Sequence, residues 1–526
     1  MHLKDRRRSN NSMKSFTELI AYQAISRDKI AVYSRYGDFS YKNLYSEVLI
    51  LADWLREKGI SPNVNDSKKP LLIEGDGEIA HIAVILAAME LGLPFIPLNR
   101  AFTRSNLLAV DTFQTTHIQC DKKVVFIEGK VFEIGNNPLS FNDTFTMESI
   151  YNRFDITIER LACCFPTSGT TGLPKLIAVS NYQLIKGAYF VSEALDLNSE
   201  DNLMGMLSLD FDYGLNQILG SIVVGGSYIC AQLSTLTRDR LDTVAMLKPT
   251  VLALMPFLID TYFPALNDND LESVRLVTTS GGPLTSNHRE KVSRICPKAT
   301  IIPMYGLSEG FRATISNPDI DAKYPNSVGV PIGDTEITIR DDEGIKLAAG
   351  EVGEVWQSGG CLSWGYWKDI ESTHLRFVSD GEFPNKTWLK SGDLGFINHQ
   401  GVLFIVGRKT FQIKKFGHRV SIDEVEQLVS EALEGLLVVA VPVEISTTES
   451  DFDVFVQSSE NLATNLAQKI SRVLSRELWP RKLICLEQIP INIYGGKPDR
   501  HALSALTTGN AREACTLFLE LLKNGR

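Results

Sequence analysis

Apolar residues recur at helical spacing near the start of the chain. On one face of residues 41–60 they are Leu44, Val48, Leu51 and Leu55. Gly59 follows the last of them, and glycine commonly ends a helix because it tolerates a left-handed backbone. The pattern therefore predicts a helix over this segment.

The next segment alternates between short and long apolar runs. Residues 70–73 and 94–98 are short enough for buried strands, and 78–91 between them has the length of a helix. Similar alternation recurs through 222–229, 250–254 and 274–279. Strands that alternate with helices in this way predict an α/β domain with buried, mostly parallel sheets.

Glycines become dense from Gly329 to Gly365, where the architecture is expected to change. Short runs at 336–340 and 353–356 predict antiparallel strands of a β-rich sub-domain. A sharper break comes at Gly407-Arg408. Beyond it the predicted elements are helices at 423–433 and 462–478, strands at 436–443 and 451–457, and a helix-like segment at 511–523.

The predicted fold class is therefore α/β: a large N-terminal α/β domain with parallel sheets and a β-rich sub-domain, plus a small C-terminal α+β domain. The expected boundaries are 1–15 for a disordered tail, 16–407 for the large domain and 408–526 for the small one.

The composition and net charge of the chain exclude some classes of protein function. A formal net charge of −10 at pH 7 argues against general binding of nucleic acid. No apolar run reaches the roughly 18 residues of a transmembrane helix, and the polar start lacks the apolar core of a secretory signal. Eight cysteines without Cys-x-x-Cys spacing predict reduced, buried thiols, so we expect a cytoplasmic protein. We expect its start at Met1 or at Met13.

Residues 167–175, Thr-Ser-Gly-Thr-Thr-Gly-Leu-Pro-Lys, concentrate hydroxyls, glycines and one lysine. Gly169 and Gly172 let the backbone approach an anion closely, while the hydroxyls and Lys175 supply donors and positive charge. The spacing is not that of the Walker A motif. The segment favours a phosphate-binding loop, although a solvated turn is the plain alternative when it is taken alone.

Four further segments follow in a fixed order. Residues 304–309 (Met-Tyr-Gly-Leu-Ser-Glu) combine a ring that can stack on a base with a carboxylate that can hold Mg²⁺. Residues 389–393 (Leu-Lys-Ser-Gly-Asp) offer a carboxylate to ribose hydroxyls, or simply an Asp-capped turn. The third segment runs from Gly407 to Glu426, and the fourth, 495–500 (Gly-Gly-Lys-Pro-Asp-Arg), carries a lysine on a flexible loop.

Taken together, these segments resemble the adenylate-forming (AMP-binding) superfamily, which includes acyl-CoA synthetases, luciferases and peptide-synthetase adenylation domains. The resemblance runs from about Phe16 to Arg500. It implies a ligase that activates a carboxylic acid with ATP as acyl-AMP, releases pyrophosphate, and then transfers the acyl group to a thiol with release of AMP. The implied cofactors are ATP and Mg²⁺, with CoA or phosphopantetheine as the thiol acceptor.

The resemblance also implies a role for each site residue. The loop closes over the β- and γ-phosphates, Tyr305 stacks on adenine, and Asp393 binds the ribose with help from Arg408. The implied catalytic residues are Lys497, Glu309 as the metal ligand, and Thr167. Lys497 would stabilise the charge that accumulates between the carboxylate and the α-phosphate. The implied nucleotide-binding residues are Thr167, Ser168, Gly169, Thr170, Thr171, Gly172, Lys175, Gly281, Gly282, Tyr305, Gly306, Ser308, Asp393 and Arg408.

The acid pocket is implied around Asp212. In peptide-synthetase adenylation domains a carboxylate here binds the substrate's α-amino group, whereas Tyr213-Gly214-Leu215 looks more like acyl-CoA ligases. Arg312 either neutralises Asp212 or binds a second carboxylate or polar group of the substrate. The lining is mixed, which favours a small or polar acid over a long fatty chain. It comprises Asp212, Tyr213, Asn216, Ala253, Ser280, Met304 and Arg312.

In this family the C-terminal domain is a mobile lid that turns between the two half-reactions, and the resemblance places its hinge at Thr410. The family usually has Asp or Lys at the hinge, so Thr410 is a departure. The lysine loop also departs, with Asn492 in place of the usual Thr and about one extra residue. Ser308 replaces the commoner Thr but keeps the hydroxyl.

The expected partners are a small-molecule carboxylic acid and, for one reading, a separate acyl or peptidyl carrier protein, since no carrier signature follows Arg500. Neither nucleic acid nor a transmembrane segment is expected. One alternative is a freestanding amino-acid adenylation enzyme that loads such a carrier, because residues 411–414 (Phe-Gln-Ile-Lys) resemble those enzymes. A different class, a nucleotide-binding pseudoenzyme, is motivated by the altered hinge and lysine loop.

Overall fold

The computed structural model describes most of the chain. The described residues are 16–26, 28–61, 70–99, 116–127, 129–135, 160–167, 175–232, 237–379, 386–409, 412–415, 418–444, 450–459, 462–491, 498–508 and 516–517. The predicted tail, 1–15, lies outside them, as does most of the segment predicted at 511–523.

One large sheet has a parallel centre. In spatial order its described strands are Val330–Pro331, Phe311–Ile315, Thr300–Leu307, Leu276–Thr279, Val251–Leu254, Asn202–Gly205, Ser227–Cys230, Ile30–Ser34 and Gly37–Ser40. The inner strands pair in parallel, and antiparallel pairs close both edges. Val251–Leu254 and Leu276–Thr279 are buried at every position, as expected when helices cover both faces of a parallel sheet.

A second sheet repeats this arrangement. Its described strands, in spatial order, are Lys130–Glu133, Val124–Ile127, His117–Asp121, Leu71–Gly75, Phe95–Asn99, Leu161–Thr167 and Lys175–Ser180. The four from His117–Asp121 to Leu161–Thr167 are parallel, and Lys175–Ser180 returns antiparallel to Leu161–Thr167. The strands predicted at 70–73 and 94–98 are confirmed.

Helices pack against both sheets. They are Phe16–Ser26, Tyr41–Glu57, Ile79–Leu91, Asn181–Ala194, Asp212–Val224, Arg238–Met246, Pro256–Tyr262, Ser286–Ile295 and Pro318–Lys323, with a 3₁₀ turn at Phe263–Ala265. Ile79–Leu91 is buried at every position except Glu90, as expected for a helix that is apolar all round. Side chains of both sheets form the largest hydrophobic cluster together with the helices Phe16–Ser26, Tyr41–Glu57, Ile79–Leu91, Asn181–Ala194 and Asp212–Val224. The helices Arg238–Met246 and Ser286–Ile295 contribute to a second cluster.

The β-rich part is antiparallel, as predicted. Its described strands are Glu336–Arg340, Gly353–Ser358, Thr387–Ile397, Phe377–Ser379 and Leu403–Arg408. Glu336–Arg340 pairs antiparallel with Gly353–Ser358, and the helix Ile370–Arg376 leads into Phe377–Ser379. The long strand Thr387–Ile397 pairs with three of the others.

The C-terminal segments have a hydrophobic cluster of their own. Their strands are Gln412–Lys415, His418–Ser421, Val438–Glu444, Ser450–Gln457, Lys482–Leu486 and Thr516–Leu517, and their helices are Ile422–Ala432, Ala463–Val473 and Arg500–Thr508, with a 3₁₀ turn at Arg476–Leu478. Mixed strands and helices of this kind match the predicted α+β unit, and the fold class is confirmed. The domain boundaries stay predictions.

Three predicted segments need correction. The run 222–229 contains the end of the helix Asp212–Val224 and then the strand Ser227–Cys230, because Gly225 adopts a left-handed backbone (φ 71°) and ends the helix. The helix expected over 462–478 ends at Val473, since Leu474 is extended. Within 511–523, Thr516 and Leu517 form a strand that pairs with Lys482–Leu486.

Two further findings concern the described segments. The seven cysteines there are free and buried. No helix in these parts of the chain is long and apolar enough to cross a membrane.

Candidate active site

A β-hairpin at one end of the large sheet carries six predicted site residues: Met304, Tyr305, Gly306, Ser308, Glu309 and Arg312. Strand Thr300–Leu307 pairs antiparallel with Phe311–Ile315, so Tyr305 lies on the first strand and Glu309 in the connecting turn. A Cβ atom at Gly306 would lie 2.1 Å from the Phe311 carbonyl oxygen. Only glycine therefore permits this close approach of the two strands.

Tyr305, Asp393 and Arg408 lie together. The Tyr305 hydroxyl donates to Asp393 Oδ2 at 2.7 Å, and Arg408 Nε lies 3.0 Å from Asp393 Oδ1. Asp393 and Arg408 are directly opposite each other on strands Thr387–Ile397 and Leu403–Arg408. Burial, and then the Asp393 charge, raise the pKa of Tyr305 well above its usual value, so its hydroxyl stays a hydrogen-bond donor.

Glu309 is buried beside two residues for which the sequence suggested no role. Its Oε1 accepts a hydrogen bond from the Tyr366 hydroxyl at 2.8 Å and lies 3.6 Å from Arg376 Nη2. Tyr366 directly follows the glycine-rich segment 329–365 and Arg376 ends the helix Ile370–Arg376, but no motif marks either side chain. Burial, and then the Glu309 charge, raise the pKa of Tyr366.

The Glu309 carboxylate is suited to bind the kind of Mg²⁺ ion that accompanies nucleotide phosphates. No group of three or more His, Cys, Asp or Glu residues in the described segments could hold a metal by itself. Mg²⁺ at nucleotide sites, however, typically takes one or two carboxylates, with phosphates and water completing its shell. A single buried carboxylate oxygen donor at the hairpin turn is therefore chemically adequate.

The predicted phosphate loop connects two paired strand ends. Thr167 and Lys175 are opposite each other in the register of Leu161–Thr167 and Lys175–Ser180. Lys175 Nζ lies 3.6 Å from Asp369 Oδ2 and 5.1 Å from the centre of the Tyr366 ring, and it donates to Ser372 Oγ. One end of the loop is thus held beside the helix Ile370–Arg376 and the Glu309 cluster.

Asp212 and Arg312 form a buried ion pair, the first of the two readings that the sequence left open. Arg312 Nη2 lies 2.6 Å from Asp212 Oδ2, and the Ser308 hydroxyl donates to Asp212 Oδ1 at 2.7 Å. Arg312 Nη1 donates to Ser280 Oγ at 3.1 Å, and the guanidinium lies 4.5 Å from the centre of the Tyr213 ring. Both carboxylate oxygens of Asp212 are therefore engaged.

The other predicted pocket residues lie at the same edge of the sheet. Ala253 and Met304 are buried on the strands Val251–Leu254 and Thr300–Leu307, and Asn216 lies one helical turn beyond Asp212. The Asn216 Nδ2 atom is buried without a hydrogen-bond partner. These residues lie towards the carboxyl ends of parallel strands, where open α/β sheets bind ligands.

The two predicted nucleotide-binding glycines Gly281 and Gly282 differ in how strictly the structure requires glycine. Gly281 has a left-handed backbone (φ 86°), which favours glycine. A Cβ atom at Gly282 would make only an ordinary contact, 3.6 Å from the Pro256 ring.

Seven predicted site residues lie outside the described residues: Ser168, Gly169, Thr170, Thr171, Gly172, Thr410 and Lys497. The two ends of the lysine segment are described. Ile491 and Pro498 form an antiparallel bridge, and Arg500 Nη2 contacts both Glu426 carboxylate oxygens at 2.5 and 2.6 Å. The segment that carries Lys497 is therefore anchored at both ends.

The amino-acid sequence is similar to that of known proteins. A family model described as "AMP-binding enzyme" matches residues 21–367. Tyrocidine synthase 3 of Brevibacillus parabrevis is 24% identical over 482 residues, and bacitracin synthase 3 of Bacillus licheniformis is 25% identical over 525 residues. These alignments cover 88% and 95% of this chain but 7% and 8% of the relatives. The chain thus spans less than a tenth of their length.

Solved structures of similar fold include ATP-bound MatB from Rhodopseudomonas palustris, with a TM-score of 0.74, 20% identity and coverage of 94% of this chain and 99% of that one. MenE from Bacillus subtilis, in complex with ATP and a magnesium ion, has a TM-score of 0.73 and 17% identity, with coverage of 93% and 99%. At these identities the likeness concerns the fold.

Proposed function

The chain belongs to the AMP-binding enzyme family, and we propose that it joins a carboxylic acid to a thiol at the expense of ATP. The observation that carries this proposal is the contact between Tyr305 and Asp393. These residues are 88 positions apart, yet the hydroxyl and the carboxylate are 2.7 Å apart. A base-stacking ring and a ribose-binding carboxylate would need to be neighbours in this way.

The proposed reaction has two steps. In the first, a carboxylate oxygen of the acid attacks the α-phosphorus of ATP, a new P–O bond forms, and the bond to pyrophosphate breaks. In the second, a thiol of CoA or of carrier-bound phosphopantetheine attacks the acyl carbon, loses its proton, and displaces AMP. The acid needs no general base in the first step, because it is already ionised at neutral pH.

The chain's residues would supply positioning and charge. Tyr305, Asp393 and Arg408 hold the nucleoside, and Lys175 with the loop 167–174 holds the outer phosphates. Glu309 holds Mg²⁺, which when bound would offset charge on the phosphates. Lys497 stabilises the negative charge between the acid and the α-phosphate, an electrostatic role that does not require proton transfer.

The ion pair at Asp212 supports an acid without an α-ammonium group. An ammonium group would meet a carboxylate whose charge is already neutralised by Arg312 at 2.6 Å, with Ser308 on its other oxygen at 2.7 Å. Displacing Arg312 would leave a buried guanidinium unpaired, which is costly. One turn away, the buried Asn216 amide offers a donor to an uncharged acceptor, such as a hydroxyl or carbonyl oxygen of the acid.

The test is acid-dependent exchange of pyrophosphate into ATP across amino acids, hydroxy acids, aryl acids and short to long fatty acids, with wild type and Lys497→Ala. We expect exchange with a hydroxy or aryl acid, and its loss in the variant. Release of AMP with CoA, compared with a phosphopantetheinylated carrier protein, then identifies the thiol acceptor. Exchange with α-amino acids alone would contradict the acid class and favour the carrier-loading alternative.

The pseudoenzyme reading makes a distinct prediction in the same assay. It requires ATP binding without exchange for any acid in the panel. We favour catalysis because Lys175, Glu309, Asp393, Arg408 and Lys497 are all present in the chain, so no charge expected at the nucleotide is missing.

A further inference from the structure

Arg376 lies at the junction of two predicted binding groups. It is the last residue of the helix Ile370–Arg376, and its Nη2 is 3.6 Å from Glu309 Oε1. On its other side, a Cβ atom at Gly392 would lie 2.9 Å from Arg376 Nη1. The guanidinium thus lies between the expected metal ligand and the residue next to the expected ribose ligand, Asp393.

The backbone at Gly392 is suited to this contact. Gly392 has a left-handed conformation (φ 71°) and donates its N–H to Glu354 Oε1 at 3.0 Å. A side chain at this position would be strained and would press on the guanidinium. The absence of a side chain at Gly392 therefore leaves room for Arg376 directly beside Asp393.

The contacts of Arg376 leave it able to bind a further anion. The 3.6 Å separation from Glu309 is an ion pair without a directed hydrogen bond. A guanidinium has five N–H donors, more than the Tyr366 hydroxyl and one carboxylate oxygen can accept. Guanidinium groups match phosphate oxygens especially well because they can donate two parallel hydrogen bonds.

In a nucleotide the α-phosphate lies between the ribose and the metal-bridged outer phosphates. We propose that Arg376 is a phosphate-contacting residue of this enzyme, binding the α-phosphate between Asp393 and Glu309. The proposal rests on the function proposed above. Tyr366 acts as its positioning residue, since its hydroxyl meets the same Glu309 oxygen.

The test compares two ligands that differ only in that phosphate. Calorimetric titration without added metal measures the dissociation constants of adenosine and AMP for wild type, Arg376→Met and Arg376→Lys. Arg376→Met should weaken AMP about tenfold or more, as expected for a lost charge-assisted hydrogen bond, and leave adenosine unchanged. Arg376→Lys, which keeps the charge but loses the paired donors, should weaken AMP less. Lys368→Met removes an exposed cation just before the same helix and should change neither constant.

Two results would overturn the proposal: unchanged AMP binding in Arg376→Met, or equal weakening of AMP and adenosine, which indicates a structural role. If Arg376→Met unfolds in a thermal melt, Arg376→Lys decides by the same comparison of the two ligands. If the wild-type protein binds neither ligand, the proposed nucleotide site is wrong, and the role proposed for Arg376 is wrong with it. Intact adenosine binding together with unchanged AMP binding would reject Arg376 alone.

Discussion

Asp212 and Arg312 hold each other in the interior, where neither charge would be stable alone. Both are less than a tenth exposed, and removing one partner of a buried pair typically costs about 3–5 kcal/mol. We therefore expect Arg312→Met to lower the free energy of unfolding by about that amount. The double variant Asp212→Asn/Arg312→Met should recover much of the loss, as measured by thermal or urea unfolding.

The exposed pair Lys298–Glu272 provides the matched control. Its side chains are 69% and 67% exposed and 3.6 Å apart, so Lys298→Met should cost less than about 1 kcal/mol. If Arg312→Met costs no more than this control, Asp212 is not held by Arg312. The acid class inferred from their pairing then loses its support.

The sequence could name Asp212 and Arg312 but not choose between their two readings. They are 100 positions apart, and the choice depends on which oxygens the folded chain brings within reach. Tyr366 and Arg376 show the same limit. Each lies beside Glu309 through a contact that only the fold creates, and no local pattern marks either side chain. By contrast, Tyr305, Glu309 and Asp393 occur in recognisable motifs, so residue type and order sufficed to select them as candidates.

The segment that carries Lys497 depends on its anchored ends. Arg500 joins this segment to the helix Ile422–Ala432 through Glu426 and also reaches the Ala440 carbonyl oxygen. A displacement of about 1 Å can cost a reaction about a hundredfold in rate. We expect Arg500→Met to lower the rate of pyrophosphate exchange by about tenfold to a hundredfold, while the dissociation constant of ATP stays unchanged.

Lys469→Met is the control for charge in the same part of the chain, because Lys469 pairs with the exposed Glu434 at 2.8 Å. It should leave the exchange rate near that of wild type. Arg500→Lys cannot reproduce the two-oxygen contact with Glu426 and should fall between the two. An Arg500→Met variant with wild-type exchange would contradict an anchoring role for Glu426.

The spacing of apolar residues predicted helices and strands well where the local sequence and the packing of the fold favour the same element. The helix at 41–60 begins at Ser40, whose side chain accepts from the Asn43 N–H at 3.1 Å, and its apolar face is buried. The errors occur where a short backbone feature interrupts a predicted segment. Gly225 divides 222–229 into helix and strand, and the extended Leu474 ends the helix predicted to reach 478. Spacing alone does not reveal such features.

The ordered motifs predicted the family, which the family model over residues 21–367 confirms, and alternating elements predicted the α/β class. The boundaries between domains and the mobility of the C-terminal unit stay predictions. Both predictions concern the part of the chain next to Thr410. Just before it, Lys409 Nζ lies 2.9 Å from Asp342 and 3.3 Å from Glu354, so the chain is fixed to the β-rich part up to this point.

If the small unit turns about Thr410 between the two steps, fixing one backbone dihedral there must separate the half-reactions. Proline locks φ near −65°, so Thr410→Pro should retain at most one of pyrophosphate exchange and thioester formation. Thr410→Ala changes the side chain but leaves φ free, and both activities should stay near wild type. Measuring the two reactions separately distinguishes this result from general inactivation. A Thr410→Pro enzyme with both rates intact would show that the two steps do not need rotation at this residue.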